Sequence, residues 1–372
     1  MKDIREPIIK LQQNDNYRII AISDIHAHAG HFQEMLNRLH LQADDILIII
    51  GDFINRGPES LKTYKLIKEI QKRPHTYILK GNHESFIYGS LMDESRTDPF
   101  LRFIQQNYYP TLVHEMASKT NFDLATCSSG KALRDHMLTH FLPLLEDLNN
   151  LPIIVENDDF IFVHGGYDPE LDPAKDQTSF LKYDNYNELS SVNHKQVVVG
   201  HWPASNLRTN QFSNLPMFNI EKKIITIDGG LGVKSSGELN ALIIEKHDGQ
   251  IAYGHLQVND FSRSKIQAAH HFHNEEPIYV SFPHFEVDIL ERKNDFVLCK
   301  HQHTQKPLSV FPSLLEDTED GYRIKTTYIN KFFNLPVGEE VEVCLAFEDC
   351  ILVKHNEEFG WVARNQIKKP VS

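Results

Sequence analysis

The chain has 372 residues, of which 41% are hydrophobic, 10% aromatic and 24% charged, and this globular composition excludes disorder as its main state. Its formal net charge of −13 argues against a general nucleic-acid or anionic-membrane surface. The cysteines lie at no metal-like spacing, and the chain has no signal core and no apolar run of about 18 residues. We therefore predict a cytoplasmic protein with reduced thiols and no nucleic-acid or membrane partner; export without a signal stays open.

Strand-like runs alternate with helical patterns through the first part of the chain. Apolar runs predict strands at 18–22, 46–50, 76–79, 152–155, 160–163 and 196–199. Helical spacing between the first three predicts βαβ units and a largely parallel sheet. The hairpin-like pair at 152–163 predicts a second half that is less regularly parallel. Residues 85–150 interrupt this rhythm, and we predict a helical insertion there that shapes access to a site.

Polar side chains follow five of the predicted strands, at the point where each strand ends. They are Asp24 with His26, Asp52, Asn82 with His83, His164, and His201. In open α/β sheets ligands bind outside the carboxyl ends of the strands. The sequence therefore predicts that these side chains gather at one edge.

The residue types at this edge indicate metal chemistry. Asp, His and Asn are ligands for manganese, iron, zinc or magnesium, and a carboxylate is the usual bridge between two ions. Six such ligands exceed the need of one ion, whereas two ions about 3.5–4 Å apart that share Asp52 would use them all. Arg56 could hold phosphate oxygens bidentately. The pattern predicts phosphoester hydrolysis.

Taken together, these motifs resemble the phosphoprotein phosphatases of the calcineurin-like metallophosphoesterase superfamily over roughly residues 17–257. The motifs are Asp24-Ile25-His26, Gly51-Asp52-Phe53-Ile54-Asn55-Arg56-Gly57, Gly81-Asn82-His83-Glu84, His164-Gly165-Gly166 and Gly200-His201. A Gly-His-Trp-Pro form, an Asp-Gly-Gly segment at 228–230 and a β-rich tail resemble bacterial members. The fold that this resemblance implies is α/β, a β-sandwich flanked by helices.

The resemblance also implies a role for each matched residue. Asp24, His26 and Asp52 would bind one metal ion. Asp52, Asn82, His164 and His201 would bind the other. His83 would be the general acid, supported by Asn55, while Arg56 and Asn82 would bind the phosphate. Manganese is the expected metal, with iron or zinc as alternatives, and a hydroxide that bridges the two ions would attack phosphorus directly.

Three departures from the family pattern affect the site. Ser23 and Ala27 stand where the family usually has Gly, so a slightly different first loop is expected. Asn55 stands where the family has an Asp that supports the catalytic histidine. Because Asn can accept a hydrogen bond but cannot stabilise an imidazolium by charge, we expect activity with a lower pKa for His83. The second phosphate-binding arginine of the family has no counterpart within 165–200, and Arg208 or Lys182 is expected to replace it.

The pattern changes to strands alone beyond about residue 258. We predict a catalytic domain at 1–260, a linker at 261–280 and a small all-β domain at 281–372. Phe359-Gly360-Trp361-Val362 resembles the end of bacterial SH3-like barrels. The small domain is expected to orient the protein, to dimerise or to bind a protein partner.

The function that the resemblance implies is hydrolysis of phosphomonoesters on protein Ser or Thr side chains, or on Tyr. A phosphoprotein or phosphopeptide would be the substrate. One alternative is a dinucleoside tetraphosphate hydrolase, because that branch also lacks the Asp at the position of Asn55 and also carries Gly-His-Trp. The other is a catalytically idle scaffold whose tail binds partners.

Overall fold

The computed structural model describes residues 7–12, 15–184, 186, 194–272, 276–293 and 295–367. The chain divides into two compact units. The first unit is built from Met1–Pro203, Pro216–Val233 and Gly237–Val258. The second is built from Ala204–Leu215, Lys234–Ser236 and Asn259–Ser372. The outer ends of the predicted domains, at 1–6 and 368–372, lie outside the described residues, and the division at 260 stays a prediction.

Apolar and β-branched runs form the strands of the first unit, as their high strand propensity predicts. These strands are β1 (Ile8–Lys10), β2 (Tyr17–Ile22), β3 (Ile46–Ile50), β4 (Thr76–Leu79), β5 (Ile154–Glu156), β6 (Phe160–Val163), β7 (Gln196–Val199), β8 (Met217–Asn219), β9 (Ile224–Thr226), β10 (Leu239–His247) and β11 (Gln250–Val258).

Helices lie between many of these strands along the chain. Four of the described helices lie within or at the edge of the predicted insertion at 85–150. The helices are α1 (Ala29–Leu39), α2 (Ser60–Ile70), α3 (Asn82–Met92), α4 (Glu94–Gln106), α5 (Leu112–Lys119), α6 (Gly130–Asn149) and α7 (Gln177–Leu181). In α1 the buried residues Phe32, Met35 and Leu39 recur at helical spacing, which gives that helix one apolar face. Among the described residues, each helix is too short or too polar to cross a membrane.

Two sheets face each other in the first unit. One has the strand order β11-β10-β2-β3-β4, and the other has the order β1-β5-β6-β7-β9-β8. Side chains from both sheets, such as Ile48 and Phe162, pack into one buried cluster between them. The opposite face of the first sheet packs against α1 to α6. The predicted β-sandwich flanked by helices is confirmed.

The alternation of strands and helices alone predicted a largely parallel sheet, and the structure divides its strands between the two sheets of the sandwich. β2, β3 and β4 are parallel in the first sheet, and β6, β7 and β9 are parallel in the second. β5 runs antiparallel to β6 as a hairpin, and β10 runs antiparallel to β2. The five ligand-bearing strand ends therefore belong to two sheets, and their carboxyl ends converge.

The regular structure described from residue 259 onward consists of strands and short 3-10 turns. The strands are β12 (Ser262–Lys265), β13 (Tyr279–Val280), β14 (Glu286–Arg292), β15 (Val297–His301), β16 (Pro307–Val310), β17 (Leu315–Thr318), β18 (Gly321–Ile324), β19 (Tyr328–Ile329), β20 (Glu340–Ala346), β21 (Cys350–His355) and β22 (Glu358–Ala363). Buried Tyr328 and Trp361 pack in its core. The all-β character is confirmed, β12 and β13 lie within the predicted linker, and the SH3-like likeness stays a prediction.

The interior of the sandwich provides a stability test. Ile48→Ala should lower the free energy of unfolding by about 2–5 kcal/mol, because the lost methyl groups leave a cavity between the sheets. Ile220→Ala, whose side chain is 87% exposed in the same unit, should change it by less than about 0.5 kcal/mol. Chemical denaturation measures both. Equal losses in the two variants would contradict the assigned core.

Candidate metal centre

The loops that leave the strand ends have an unusual backbone. Asp24, His26, Asp52 and His201 all have left-handed conformations, with φ of 55°, 46°, 52° and 66°. A left-handed residue other than glycine costs about 1–3 kcal/mol, and such residues concentrate at functional sites. The loops that follow β2, β3 and β7 therefore hold their polar side chains in a set conformation at a cost in stability.

Glycines allow these loops to approach each other. A Cβ atom on Gly200 would overlap Ser23 Oγ and Asp24 Oδ2, and a Cβ atom on Gly81 would overlap Asp52 Oδ1. The loop after β7 thus touches the loop after β2, and the loop after β4 touches the loop after β3. Because the contacts involve carboxylates of the predicted ligand set, the two glycines define how closely the ligands gather.

Asp52 lies at the middle of the site and is buried. Its Oδ1 accepts a hydrogen bond of 2.8 Å from the backbone N–H of His83, and its Oδ2 lies 3.2 Å from His164 Nε2. His26, Asp52 and His83 offer ligand atoms that lie within 4.8 Å of one another, and so do Asp52, His164 and His201. Two potential metal-binding triads share this carboxylate.

The other predicted ligands adjoin these triads. Asp24 Oδ1 lies 3.7 Å from His26 Nε2, and Asp24 Oδ2 accepts from the backbone N–H of His201 at 3.0 Å. Asn82 Oδ1 lies 3.0 Å from His164 Nε2. The structure therefore brings all six predicted ligands together, while the role of each as a ligand stays a prediction.

Charge is concentrated in this buried site. Burial and the neighbouring charge of Asp228 raise the pKa of Asp24 well above its usual value. Burial opposes ionisation of Asp52 as well, but the imidazoles of His164 and His83 outweigh it and hold that pKa well below its usual value. At His164 burial lowers the pKa, but the charges of Asp52 and Asp24 outweigh this effect and raise the pKa to about 10. The carboxylates thus draw positive charge into the site.

The donor atoms fit divalent metal ions. Asp24 Oδ1 and His26 Nδ1 are buried and have no hydrogen-bond partner within the part of the chain that the structure describes. Buried polar atoms in folded proteins nearly always have a partner, so such atoms point to a missing group. Carboxylate, imidazole and amide oxygen together suit manganese, iron or zinc. The residues therefore fit a pair of ions with Asp52 shared between them.

The contact between Asn55 and His83 corrects one expectation from the sequence. Asn55 was expected to accept a hydrogen bond from the imidazole. Its Oδ1 instead accepts from the backbone N–H of Leu112 at 2.7 Å, which turns its Nδ2 toward His83 Nδ1 at 3.1 Å. An amide N–H can only donate, so Nδ1 faces a donor, and Nε2 faces a second one, the Nε–H of Arg56 at 3.3 Å. A neutral imidazole can accept from only one of the two, so these contacts fix neither tautomer. Burial lowers the pKa of His83 to about 4, against the attraction of Asp52 and with the help of Arg56.

The two predicted phosphate-binding arginines belong to different units. Arg56 Nε donates to His83 Nε2 at 3.3 Å, so its side chain borders the histidine predicted to be the general acid. Arg208 belongs to the second unit, where its Nε and Nη2 donate to the backbone carbonyls of Ser213 and Leu215 at 3.0 and 2.9 Å. Phosphate binding by Arg208 stays a prediction.

Three residues that sequence reasoning did not assign also contribute. The buried carboxylate of Glu84 accepts from the backbone N–H groups of Gly81, Asp52 and Phe53 at 2.8–3.0 Å, and so joins the loops after β3 and β4. The Gly-x-x-Glu pattern at the start of α3 could have revealed it, because a glutamate three residues after the N-cap commonly accepts from the N-cap backbone N–H. Asp184 lies 2.8 Å from His201 Nε2 and Tyr109 lies against Arg56. No local pattern marks these two.

Comparisons with known proteins agree with this geometry. Residues 17–212 match the family model described as calcineurin-like phosphoesterase. A bis(5'-nucleosyl)-tetraphosphatase (symmetrical) of Wigglesworthia glossinidia brevipalpis is 41% identical over 17% of this chain and 23% of its own. Serine/threonine-protein phosphatase 2 of Escherichia coli is 36% identical over 20% of this chain and 34% of its own. These matches thus span 23% and 34% of the two curated relatives.

A protein serine/threonine phosphatase from Saccharomyces cerevisiae aligns with a TM-score of 0.43 and 12% identity, over 69% of this chain and 86% of its own.

The tight contact at Gly200 generates a prediction about metal binding. Gly200→Ala should displace the carboxylate of Asp24 and lower the metal content of the purified protein at least about tenfold, the scale expected when a ligand loses its support. Gly30→Ala is the control, because nothing lies within 4 Å of the added atom, and it should leave the metal content unchanged. Elemental analysis of both variants checks this. Full occupancy in Gly200→Ala would show that the contact is not needed.

The orientation of Asn55 generates a prediction about protonation. The pKa of His83 is about 4 in the folded state, whereas its ordinary value is 6.5. As the pH falls from 6.5 to 4 the unfolded chain binds this proton first, so the free energy of unfolding decreases over that interval. Asn55→Asp should raise the pKa of His83 and narrow the interval, because a carboxylate accepts from a protonated Nδ1. NMR titration of the metal-free protein measures the pKa. An unchanged or lower value in the variant would refute the hydrogen-bond assignment.

Proposed function

The chain belongs to the calcineurin-like phosphoesterase family and is a metallophosphoesterase, and from this premise we propose that it hydrolyses phosphate esters at a two-metal centre. The observation that carries the proposal is the pair of triads that share Asp52. Asp24 and His26 would hold one ion, Asn82, His164 and His201 would hold the other, and Asp52 would hold both. Manganese is the proposed metal, with iron or zinc as alternatives.

Bound divalent ions supply Lewis acidity, which polarises a phosphoryl oxygen and makes a water molecule nucleophilic at neutral pH. The chain supplies the remaining groups. Arg56 and Asn82 bind phosphoryl oxygens beside the carboxylate of Asp52. His83 borders the same space, where the Nε–H of Arg56 donates to its Nε2 at 3.3 Å. As the proposed general acid it would give the departing oxygen a proton from its protonated, imidazolium form, because a neutral imidazole is too weak an acid to do so.

Phosphorylated Ser or Thr side chains of proteins are the first proposed substrates, with phosphotyrosine as a further member of the class. Support comes from the family motifs and from the relative in Escherichia coli that is named a serine/threonine-protein phosphatase. The second unit is proposed to bind a protein partner.

Dinucleoside tetraphosphates are the second candidate. Support comes from the relative in Wigglesworthia, which is named a bis(5'-nucleosyl)-tetraphosphatase, and from Asn55, since that branch also lacks the carboxylate there. The idle-scaffold alternative is disfavoured, because the six predicted ligands are all retained and lie together.

Loss of the shared carboxylate tests the proposed reaction. Asp52→Asn, stripped and refilled with Mn²⁺, should lose at least about three orders of magnitude in kcat/KM on an aryl phosphate, since one change weakens both ion sites. Asp248→Asn, an exposed carboxylate in the same unit, should keep the wild-type value. Wild-type turnover in Asp52→Asn would overturn the proposal.

A comparison of two substrates tests the proposed substrate class. A phosphoserine peptide and a dinucleoside tetraphosphate are given in turn to the manganese-loaded protein, and their kcat/KM values are compared. A value at least about tenfold higher for the peptide supports the protein phosphatase, and the reverse supports the nucleotide hydrolase.

A further inference from the structure

Aromatic side chains from α3, α4 and the segment between α4 and α5 contact one another in the first unit. We call Phe86, Phe103, Tyr108 and Tyr109 the aromatic surface. The ring of Phe103 lies at its middle, with centroids 5.5 Å from Phe86, 6.1 Å from Tyr108 and 5.6 Å from Tyr109. These spacings are those of packed aromatic pairs, so the four rings form one continuous patch.

The aromatic surface begins at the metal centre. The ring of Tyr109 lies 6.0 Å from that of His83, and the guanidinium of Arg56 lies over it at 4.9 Å. The backbone N–H of Arg56 donates to the carbonyl of Pro110 at 2.8 Å, which fixes this segment against the phosphate-binding loop. The aromatic surface therefore starts on the side of the centre where His83 would release the leaving group.

Its outer rings face solvent. Tyr108 is 70% exposed and Phe86 is 36% exposed, although Phe100 and Ile104 of the adjoining α4 are buried. Apolar patches that stay exposed on a folded protein commonly mark binding sites. An exposed tyrosine ring beside a phosphate site offers a flat face on which a planar ring can stack.

The length of a leaving group decides how much of the aromatic surface it can contact. Tyr109 contacts His83, Phe103 contacts Tyr109, and Tyr108 contacts Phe103, so a series of ring contacts leads from His83 to the exposed ring. A phenol ring esterified directly to phosphate is held close to the phosphate and to His83. A nucleobase, which a ribose separates from its phosphate, would extend to the outer rings.

We propose that the aromatic surface binds the nucleobase of the leaving group, so that nucleotide esters and anhydrides are the substrates that this site selects. The proposal rests on the proposed hydrolysis at the metal centre and specifies its substrate class. It favours the second of the two candidates above.

Kinetics of single variants test the proposal in the manganese-loaded protein. Tyr108→Ala and Phe86→Ala should lower the ratio of kcat/KM for bis(adenosyl) tetraphosphate to that for a phosphoserine peptide by about 5–100-fold, the scale of one lost stacking contact, mainly through KM. Phe218→Ala removes a ring that is 41% exposed elsewhere in the same unit and should leave the ratio unchanged. An unchanged ratio in both surface variants would overturn the proposal.

A phosphotyrosine peptide tests whether the planar ring that binds the aromatic surface is a nucleobase or a tyrosine side chain. If Tyr108→Ala weakens turnover of that peptide and leaves the dinucleotide unaffected, the assignment to a nucleobase is wrong.

Binding gives a readout that does not depend on turnover. Calorimetry should show that the manganese-loaded protein binds the non-hydrolysable phosphonate analogue of adenosine monophosphate at least about tenfold more tightly than methylphosphonate, and that Tyr108→Ala removes this difference. Equal affinities in the wild-type protein would overturn the proposal. Turnover of the phosphoserine peptide by the same preparation would show that the proposed hydrolysis nevertheless stands.

Discussion

Buried negative charge where two sheets converge is the constraint on which the site depends. Asp24 and Asp52 are both nearly inaccessible to solvent, and Asp228 is close enough to raise the pKa of Asp24. Isolated carboxylates cannot remain charged in such surroundings without compensation. His164 compensates in part, as its raised pKa shows. Divalent ions would compensate fully, and their binding would return the imidazole to its neutral form, which is the form that coordinates metals.

The surrounding structure serves to hold these charges together. Strand ends from both sheets deliver them, the glycines at 81 and 200 let the loops touch, and Glu84 joins two loops through backbone N–H groups. The left-handed conformations at Asp24, His26, Asp52 and His201 are strain that only a well-packed support can maintain. The buried cluster between the sheets, with Ile48 and Phe162, gives that support.

The strand ends and the polar residues that follow them were predictable because each depends on a short stretch of sequence, an apolar run followed by Asp, Asn or His. Periodicity alone did not divide these strands between two sheets, since pairing of β6 with β7 depends on residues far apart in the chain. The sandwich was predicted from the resemblance instead. The orientation of Asn55 was mistaken for the same reason, because its acceptor is engaged by Leu112, 57 positions away. Tyr109 and Asp184 lie in polar segments without periodicity. The cytoplasmic location and the SH3-like likeness stay predictions.

Anomalous diffraction from crystals soaked in manganese tests the central claim most directly. The account predicts two peaks, both in contact with the carboxylate of Asp52, one beside Asp24 and His26 and the other beside Asn82, His164 and His201. A single peak, or peaks that leave Asp52 without a metal, would contradict it.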